Sequence, residues 1–193
     1  KLMGIIAKQS IRGTIVTYLG IAVGVVTTFF VLTRFLTAEE IGLTRVLIDA
    51  ATLFIGLAQL GTNSSIIRFY PYFSDGKQEN HGFFFWALVV PFIGFVLFAI
   101  IYCACSVPLA AFFGDKSPLF VEYYYFVVPL AFFMLYQTIC ESTSNVLMHI
   151  VVPRAVRELI VRVGLLVVYV LYAFRVVSLD GLVIGLCINY AVA

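Results

Sequence analysis

Long stretches without a charged residue are the feature that most constrains what this chain can fold into. Gly82 to Gly114 contains no charged side chain over 33 positions, and Gly13 to Thr33 contains none over 21. A transmembrane α-helix needs about 20 consecutive apolar residues. Because the hydrocarbon of a bilayer offers no partners to open backbone groups, such stretches have to satisfy their own hydrogen bonds. The sequence therefore predicts an all-α integral membrane protein.

The overall composition agrees with this class and excludes others. Hydrophobic residues make up 63% of the chain and charged residues 11%. A water-soluble domain carries about a quarter of charged residues, so this chain cannot cover its surface for water. The net charge is only +2 and no run of basic residues occurs, so we expect no nucleic-acid partner.

The apolar runs and the turn residues between them predict about six transmembrane helices. We expect helices near 13–36, 41–67, 82–107, 119–140, 158–177 and 182–193, with the last one incomplete at Ala193. Residues 1–12 are expected to form a cytoplasmic N-terminus, and we interpret Lys1 and Leu2 as a remnant ahead of a natural start at Met3. Residues 13–193 then form one transmembrane lobe.

The distribution of Lys and Arg predicts the orientation, because cytoplasmic loops carry the excess of these residues. With the N-terminus inside, the cytoplasmic side has eight of them and the outer side four. The two sets are Lys1, Lys8, Arg12, Arg68, Lys77, Arg154, Arg157 and Arg162 inside, and Arg34, Arg45, Lys116 and Arg175 outside. We therefore expect a multi-pass protein with a cytoplasmic N-terminus.

A stripe of polar and small residues runs along the second predicted helix. Its members recur at steps of four and three and are Arg45, Asp49, Thr52, Gly56, Gln59 and Asn63. On a helical wheel they share one narrow face, whereas Leu47, Phe54 and Leu57 lie off it. A helix surrounded by lipid has no reason to keep such a face, so we expect it to contact other helices or water.

The depth of Arg45 and Asp49 has two interpretations. If the helix is straight and Arg68 marks the inner boundary, Asp49 lies roughly 28 Å away at the outer boundary, and Arg45 and Asp49 form an interfacial pair four residues apart. If the face continues inward through Gln59 and Asn63, the two charges line the outer mouth of a polar cavity. The sequence leaves both interpretations open.

Three local patterns make further predictions. Thr37-x-x-Glu40 is a capping box, which starts the second helix at about Ala38. Gly20-x-x-x-Gly24 predicts close packing of the first helix against another helix. Arg154, Glu158 and Arg162 are spaced four apart and predict a helix face that is either solvated, bound to lipid headgroups at the cytoplasmic surface, or in contact with a substrate.

The segment 34–73 and the segment 152–164 carry a resemblance to a known family. The matching pieces are the Leu-Thr-x-Glu-Glu-x-Gly turn at 36–42, the Leu-Gly-x-x-x-x-Ile-x-Arg helix end at 60–68, the Tyr-Pro-Tyr that follows it, and VPRAVRELIVRVG at 152–164. In these pieces the chain resembles polysaccharide biosynthesis proteins of the oligosaccharide flippase type. They are the O-antigen flippase-like branch of the multidrug/oligosaccharidyl-lipid/polysaccharide exporter superfamily. The similarity is a pattern of helix ends and turns.

The resemblance implies a fold and a function. Such proteins have two pseudo-symmetric helical lobes around a central cavity, of which this chain would form the N-terminal lobe. They move an undecaprenyl-pyrophosphate-linked glycan, as in lipopolysaccharide assembly, across the bacterial inner membrane by alternating access. Neither a cofactor nor a metal is implied. The partners implied are the lipid-linked glycan, membrane lipids, a coupling cation, and either a missing C-terminal lobe or a second copy of the chain. The substrate-cavity candidates are Arg45, Asp49, Gln59, Asn63, Arg68 and Arg34.

Two other classes of function remain alternatives, and a third is not expected. A cation-coupled exporter of small molecules in the same superfamily would use Asp49 as its intramembrane carboxylate. A non-catalytic membrane scaffold needs only small-residue packing stripes. An enzyme is not expected, because Gly-x-Ser-x-Gly is absent, His81 and His149 lie at the ends of predicted spans, and the carboxylates are scattered.

Overall fold

The computed structural model of the chain describes residues 2–73, 82–114, 117–147 and 156–193. Several residues used in the predictions above lie outside these ranges, namely Lys1, Lys77, His81, Lys116, His149 and Arg154. Within the described ranges the chain forms helices and no strand. The helices divide between two compact units, one formed by Lys1–Ile41 with Leu147–Ala193 and the other by Gly42–Val146.

Nine helical segments follow one another in the described part of the chain. Helix α1 consists of Leu2–Val26, a π-helical stretch Thr27–Leu32 and a last turn Thr33–Phe35. The next are α2 (Ala38–Ala58), α3 (Thr62–Phe73), α4 (Phe83–Ala104), α5 (Ser106–Phe113) and α6 (Pro118–Glu122). A 3₁₀ turn Tyr124–Phe126 leads into α7 (Val127–Val146). Helix α8 consists of a π-helical stretch Val156–Ile160 and Val161–Ala173, and α9 is Leu179–Val192.

Four of these helical stretches are long and apolar enough to cross a membrane. They are Gly13–Phe35, Ala38–Ala58, Phe83–Ala104 and Tyr124–Val146, whereas Val161–Ala173 and Leu179–Val192 are apolar but shorter. Helix α4 exposes Trp86, Phe92, Leu97 and Ile100, which a water-soluble protein would bury. The expectation of an all-α chain with the apolar helices of a membrane protein is confirmed in this form.

The unit formed by Lys1–Ile41 and Leu147–Ala193 is a packed set of three helices. Helix α1 packs against both parts of α8, and α8 packs against α9. Small residues allow the close approach of α8 and α9, because a Cβ at Gly164 would lie 1.8 Å from the Asn189 Oδ1 and one at Gly185 would lie 2.9 Å from a Val168 methyl. The Asn189 Nδ2 also donates a hydrogen bond to the Val161 carbonyl over 3.0 Å.

The unit Gly42–Val146 is built on aromatic contacts between its helices. Helix α3 packs against α7 and α4, and α4 packs against α7. The Phe54 ring on α2 lies 5.5 Å from the Phe95 ring on α4, measured between centroids. Tyr102 and Tyr124 stack at 4.2 Å, and the Tyr124 hydroxyl donates to the Tyr102 carbonyl over 2.7 Å. These rings fix the end of α4 against the start of the 3₁₀ turn.

The helix expected over 41–67 is two helices in the structure. The capping box forms as predicted: the Thr37 amide donates to the Glu40 carboxylate over 2.8 Å, the Glu40 amide donates to the Thr37 hydroxyl over 3.3 Å, and α2 begins at Ala38. At the other end α2 stops at Ala58, because Leu60 and Gly61 take left-handed conformations with φ of 48° and 73°. Two such residues in succession interrupt a right-handed helix.

Other helix ends differ from expectation by a few residues or by an added turn. The helix expected over 82–107 ends at Ala104 and is followed by the short helix α5. The helix expected over 119–140 is divided at Tyr123 into α6 and, after the 3₁₀ turn, α7, which ends at Val146. The helix expected over 158–177 begins two residues earlier in the described chain and ends at Ala173, while the last one begins at Leu179.

Candidate functional site

The polar face of α2 lies opposite the side by which this helix packs. The buried residues of α2 are Leu43, Thr44, Leu47, Ala51, Phe54, Ile55 and Ala58. Arg45, Asp49, Thr52 and Gly56 are all exposed, and they centre on the other side of the helical wheel. A Cβ at Gly56 would meet no atom within 4 Å. We call these four residues the α2 polar face. No described part of the chain therefore covers this face.

The charged groups on this face have no partner in the part of the chain that the structure describes. Neither Arg45 nor Asp49 makes a hydrogen bond or an ion pair with a described residue, although the two are four residues apart. The Thr52 hydroxyl donates to the Ile48 carbonyl over 2.8 Å and is satisfied within its own helix. Donors and acceptors at Arg45 and Asp49 are thus left free by the described residues.

The end of α2 at Ala58 places Asp49 near the middle of its helix. Helix α2 has 21 residues, so it is about 31 Å long and matches the roughly 30 Å hydrocarbon core. Asp49 lies about 16 Å from the first residue of the helix and about 14 Å from the last, which is near its midpoint. The estimate that placed Asp49 at a boundary assumed one straight helix as far as Arg68, and that helix is interrupted.

The interruption also separates Gln59 and Asn63 from the α2 polar face. Gln59 is half-buried directly after α2, while Asn63 lies in the first turn of α3. Helix α4 passes very close to the end of α2, because a Cβ at Gly94 would lie 2.1 Å from the Ala58 carbonyl oxygen. Glycine at position 94 therefore allows α4 to approach the backbone where α2 ends.

Asn63 is bound to α7. The single proton of the Ser142 hydroxyl is shared between the Asn63 Oδ1 and, over 2.9 Å, the Thr138 carbonyl. On the same helix the buried Gln137 Nε2 has no hydrogen-bond partner among the described residues. The sequence did not indicate Ser142 or Gln137, since the partner of Asn63 is 79 positions away and only the packing of α3 on α7 brings them together.

Arg68 and Arg34 belong to helices other than α2. Arg68 is exposed on α3, with its guanidinium carbon 5.9 Å from the centre of the Phe69 ring. Arg34 is exposed in the last turn of α1 and belongs to the other compact unit. Of the six cavity candidates, the structure thus places Arg45 and Asp49 on one exposed helix face and the other four elsewhere.

Arg162 contacts the backbone of α1 within the unit formed by Lys1–Ile41 and Leu147–Ala193. A Cβ at Gly24 would lie 3.1 Å from the Arg162 Nη1, so the guanidinium rests on the backbone of α1. Gly24 is the central residue of the membrane-length stretch Gly13–Phe35. The Gly20-x-x-x-Gly24 pattern therefore accommodates an arginine of α8 at its second glycine, near the middle of an apolar helix.

Neither a metal-ligand cluster in the described chain nor a similar known protein identifies the site. Within the ranges that the structure describes, no group of three or more His, Cys, Asp or Glu residues could hold a metal ion. No family model, no curated protein and no solved structure matches this chain.

Proposed function

We propose that the native protein carries a polar-headed, lipid-linked oligosaccharide across the bacterial inner membrane, and that the α2 polar face lines its path. The observation that carries this proposal is the position of Asp49, which is exposed near the midpoint of a membrane-length helix. The proposal includes the six-helix lobe, the cytoplasmic N-terminus and the alternating-access mechanism expected from the sequence.

The energetic argument concerns the surroundings of a charge at that depth. On insertion scales a charged residue at the centre of a membrane helix costs about 2.5–3.5 kcal/mol. Asp49 and Arg45 both lie on the side of α2 that the described residues leave exposed. Water or a polar substrate in a cavity removes most of that cost, whereas lipid does not. The α2 polar face is therefore better suited to a hydrophilic path than to the bilayer.

The chemistry of the face suits a glycan linked to a phosphorylated lipid. A carboxylate accepts hydrogen bonds from sugar hydroxyls, and a guanidinium donates to hydroxyls or to phosphate oxygens. Arg45 and Asp49 offer one group of each kind on the same exposed face. An alternating-access cavity also needs a second wall, which we assign to a further helical lobe or to a second copy of the chain.

The test is glycan transport by variants of the native protein. We expect Asp49→Ala and Arg45→Ala, which alter the two charged residues of the α2 polar face, to reduce export of undecaprenyl-pyrophosphate-linked glycan while the amount of protein in the membrane stays unchanged. Loss of one charge-assisted hydrogen bond of about 1.5–3 kcal/mol predicts a decrease of about tenfold or more for Asp49→Ala. Glu39→Gln serves as the matched control, because Glu39 is an exposed carboxylate in the first turn of the same helix.

The outcome separates the proposal from its alternatives. Normal export in both variants would remove the cavity assignment. A second candidate, the cation-coupled export of small molecules, is favoured by the same mid-helix carboxylate, since such a residue can bind a proton or a metal cation. In that case Asp49→Asn abolishes gradient-driven efflux of a cationic dye from proteoliposomes, and glycan export is absent from the unmodified protein as well.

A further inference from the structure

A polar cleft lies where four helix ends meet in the unit formed by Lys1–Ile41 and Leu147–Ala193. Its volume is about 520 Å³, and its walls come from the end of α1, the start of α2, the end of α8 and the start of α9. The charged residues that line it are Glu40 and Arg175, and Tyr172, Thr37 and Ser178 add hydroxyl groups. We call it the helix-end cleft. Its size is within the range of small-molecule sites.

The carboxylate of Glu40 is held in place from two sides. One oxygen, Oε2, accepts a hydrogen bond from the Thr37 amide over 2.8 Å, and the other, Oε1, accepts one from the Tyr172 hydroxyl. Tyr172 lies 132 positions away in the sequence, so this bond ties the start of α2 to the end of α8. The negative charge is therefore presented to the cleft in a fixed geometry with lone pairs to spare.

Arg175 occupies a backbone position that normally belongs to glycine. Its φ is 55°, its amide donates to the Tyr172 carbonyl over 2.9 Å, and the Val176 amide donates to the Leu171 carbonyl over 3.1 Å. This pair of bonds is a Schellman motif, whose left-handed residue is usually glycine. Arginine is strained in this conformation, and strained residues of this kind are concentrated at functional sites.

The Arg175 guanidinium is available for a ligand. It is exposed, and within the part of the chain that the structure describes it has no hydrogen-bond or ion-pair partner. A guanidinium binds phosphate oxygens in pairs through its planar fork of N–H donors. The helix-end cleft thus places a phosphate-binding cation within the same small volume as the fixed Glu40 carboxylate.

Exposed apolar side chains flank these charges. Phe35 in the wall of the cleft is 56% exposed, and Phe174 and Val176 beside Arg175 are 75% and 69% exposed. The cleft also lies at the ends of two membrane-length stretches, Gly13–Phe35 and Ala38–Ala58. Aromatic and charged groups at such helix ends are typical of the boundary between hydrocarbon and headgroups.

From this combination we propose that the helix-end cleft binds the headgroup of phosphatidylethanolamine. The Arg175 guanidinium binds the phosphate, and the ammonium donates to the Glu40 carboxylate beside the Phe35 ring. The negative charge of Glu40 and the positive charge of Arg175 match a zwitterionic headgroup better than one with a net negative charge. The exposed apolar residues beside the cleft accommodate the acyl chains, which a soluble sugar does not have. The site is independent of the transport function proposed above.

The experiment counts bound lipids on the purified native protein in detergent by native mass spectrometry. We expect phosphatidylethanolamine to bind at least severalfold more tightly than phosphatidylcholine, because a trimethylated ammonium cannot donate a hydrogen bond to Glu40. Glu40→Gln should abolish that difference, and Arg175→Gln should weaken both lipids together. The matched controls are Glu39→Gln and Arg157→Gln, whose parent residues are exposed in the same unit and do not line the cleft.

A second variant separates ligand binding from a structural role. Arg175→Gly supplies the residue that the left-handed position prefers, so its melting temperature should equal or exceed that of the parent protein while lipid binding falls. A joint loss of stability and binding in this variant would overturn the assignment of Arg175 as a ligand.

Other ligands give distinct results, each of which contradicts the proposal. Equal binding of phosphatidylethanolamine and phosphatidylcholine removes the role of Glu40. Preference for phosphatidylglycerol indicates an anionic headgroup instead. Displacement of the bound lipid by a soluble disaccharide indicates a carbohydrate site, and displacement by micromolar glycerophosphoethanolamine indicates a soluble phosphate ester rather than a membrane lipid.

Discussion

At the scale of single residues, Gly94 and Gly56 predict opposite responses to the same substitution. A Cβ at Gly94 would lie 2.1 Å from the Ala58 carbonyl oxygen, whereas one at Gly56 would meet nothing within 4 Å. We expect Gly94→Ala to lower the free energy of unfolding by about 1–3 kcal/mol through overpacking. Gly56→Ala should raise it by up to about 1 kcal/mol through helix propensity. Thermal unfolding in detergent measures both, and equal effects would contradict the close approach of α4 to α2.

Of the hydrogen bonds that Glu40 makes, those of the capping box were predictable from the sequence and the one from Tyr172 was not. Thr37 and Glu40 are three positions apart, so their reciprocal bonds follow from local chain geometry and were predictable. The bond from Tyr172 depends on the packing that brings the end of α8 to the start of α2. No spacing rule connects residues 132 positions apart, and a single sequence therefore did not indicate this pair.

At the scale of elements, the interruption between α2 and α3 allows a direct test of its backbone. Leu60 and Gly61 both have positive φ, and only glycine adopts that conformation without steric cost. We expect Leu60→Gly to stabilise the protein by up to about 1 kcal/mol and Gly61→Ala to destabilise it by a similar amount. A straight helix through this region would give the reverse order in thermal unfolding, since glycine weakens and alanine strengthens a helix interior.

The same interruption explains why the polar stripe was only partly predictable. The steps from Arg45 to Asn63 follow one helical period, and an isolated Gly61 within such a pattern does not by itself end a helix. In the fold, the close approach of Gly94 to the Ala58 carbonyl supports the end of α2. The pattern predicted the exposed face as far as Gly56, and the left-handed residues Leu60 and Gly61 end the helical period after it.

The link between α3 and α7 is a second prediction at this scale. The Ser142 hydroxyl donates to the Asn63 side chain, and the two residues lie on helices that pack against each other. A double-mutant cycle with Asn63→Ala and Ser142→Ala should give a coupling free energy of about 0.6 kcal/mol, the average for such bonds in membrane proteins. The cycle is measured by unfolding in mixed micelles, and additive effects of the two substitutions would show that the bond contributes nothing.

At the scale of the whole molecule, composition and run length were sufficient to predict the class of the chain. Charge-free stretches coincide with most of three of the four helical stretches that are long enough to cross a membrane, namely Gly13–Phe35, Phe83–Ala104 and Tyr124–Val146. The division into two compact units was not predictable, because α8 and α9 pack with α1 across the whole of the intervening chain. Periodicity describes one helix at a time, and the choice of neighbours depends on which small and large residues meet.

The helix-end cleft makes a prediction about the sides of the membrane. Its walls include both Glu40 and Arg175, so the turn before α2 and the turn before α9 must lie on one side. Helix α8 is roughly 25 Å long when its two parts, Val156–Ile160 and Val161–Ala173, are taken together. This length is close to the thickness of the hydrocarbon core of a bilayer. In a variant without its four native cysteines, we expect Glu39→Cys and Val176→Cys to react with a membrane-impermeant maleimide applied from outside.

Ile11→Cys provides the opposite reference, since Ile11 is 61% exposed just before the stretch Gly13–Phe35. It should react only after permeabilisation if the N-terminus is cytoplasmic. Reaction of Ile11→Cys alone from outside would reverse the orientation and leave the fold intact. If Val176→Cys and Ile11→Cys both reacted from outside, Glu40 would lie inside, because α1 crosses the membrane between Ile11 and Glu40. Glu40 and Val176 would then be on different sides, which the hydrogen bond between Glu40 and Tyr172 does not allow. Labelling of these three positions thus tests the first compact unit as a membrane-embedded body.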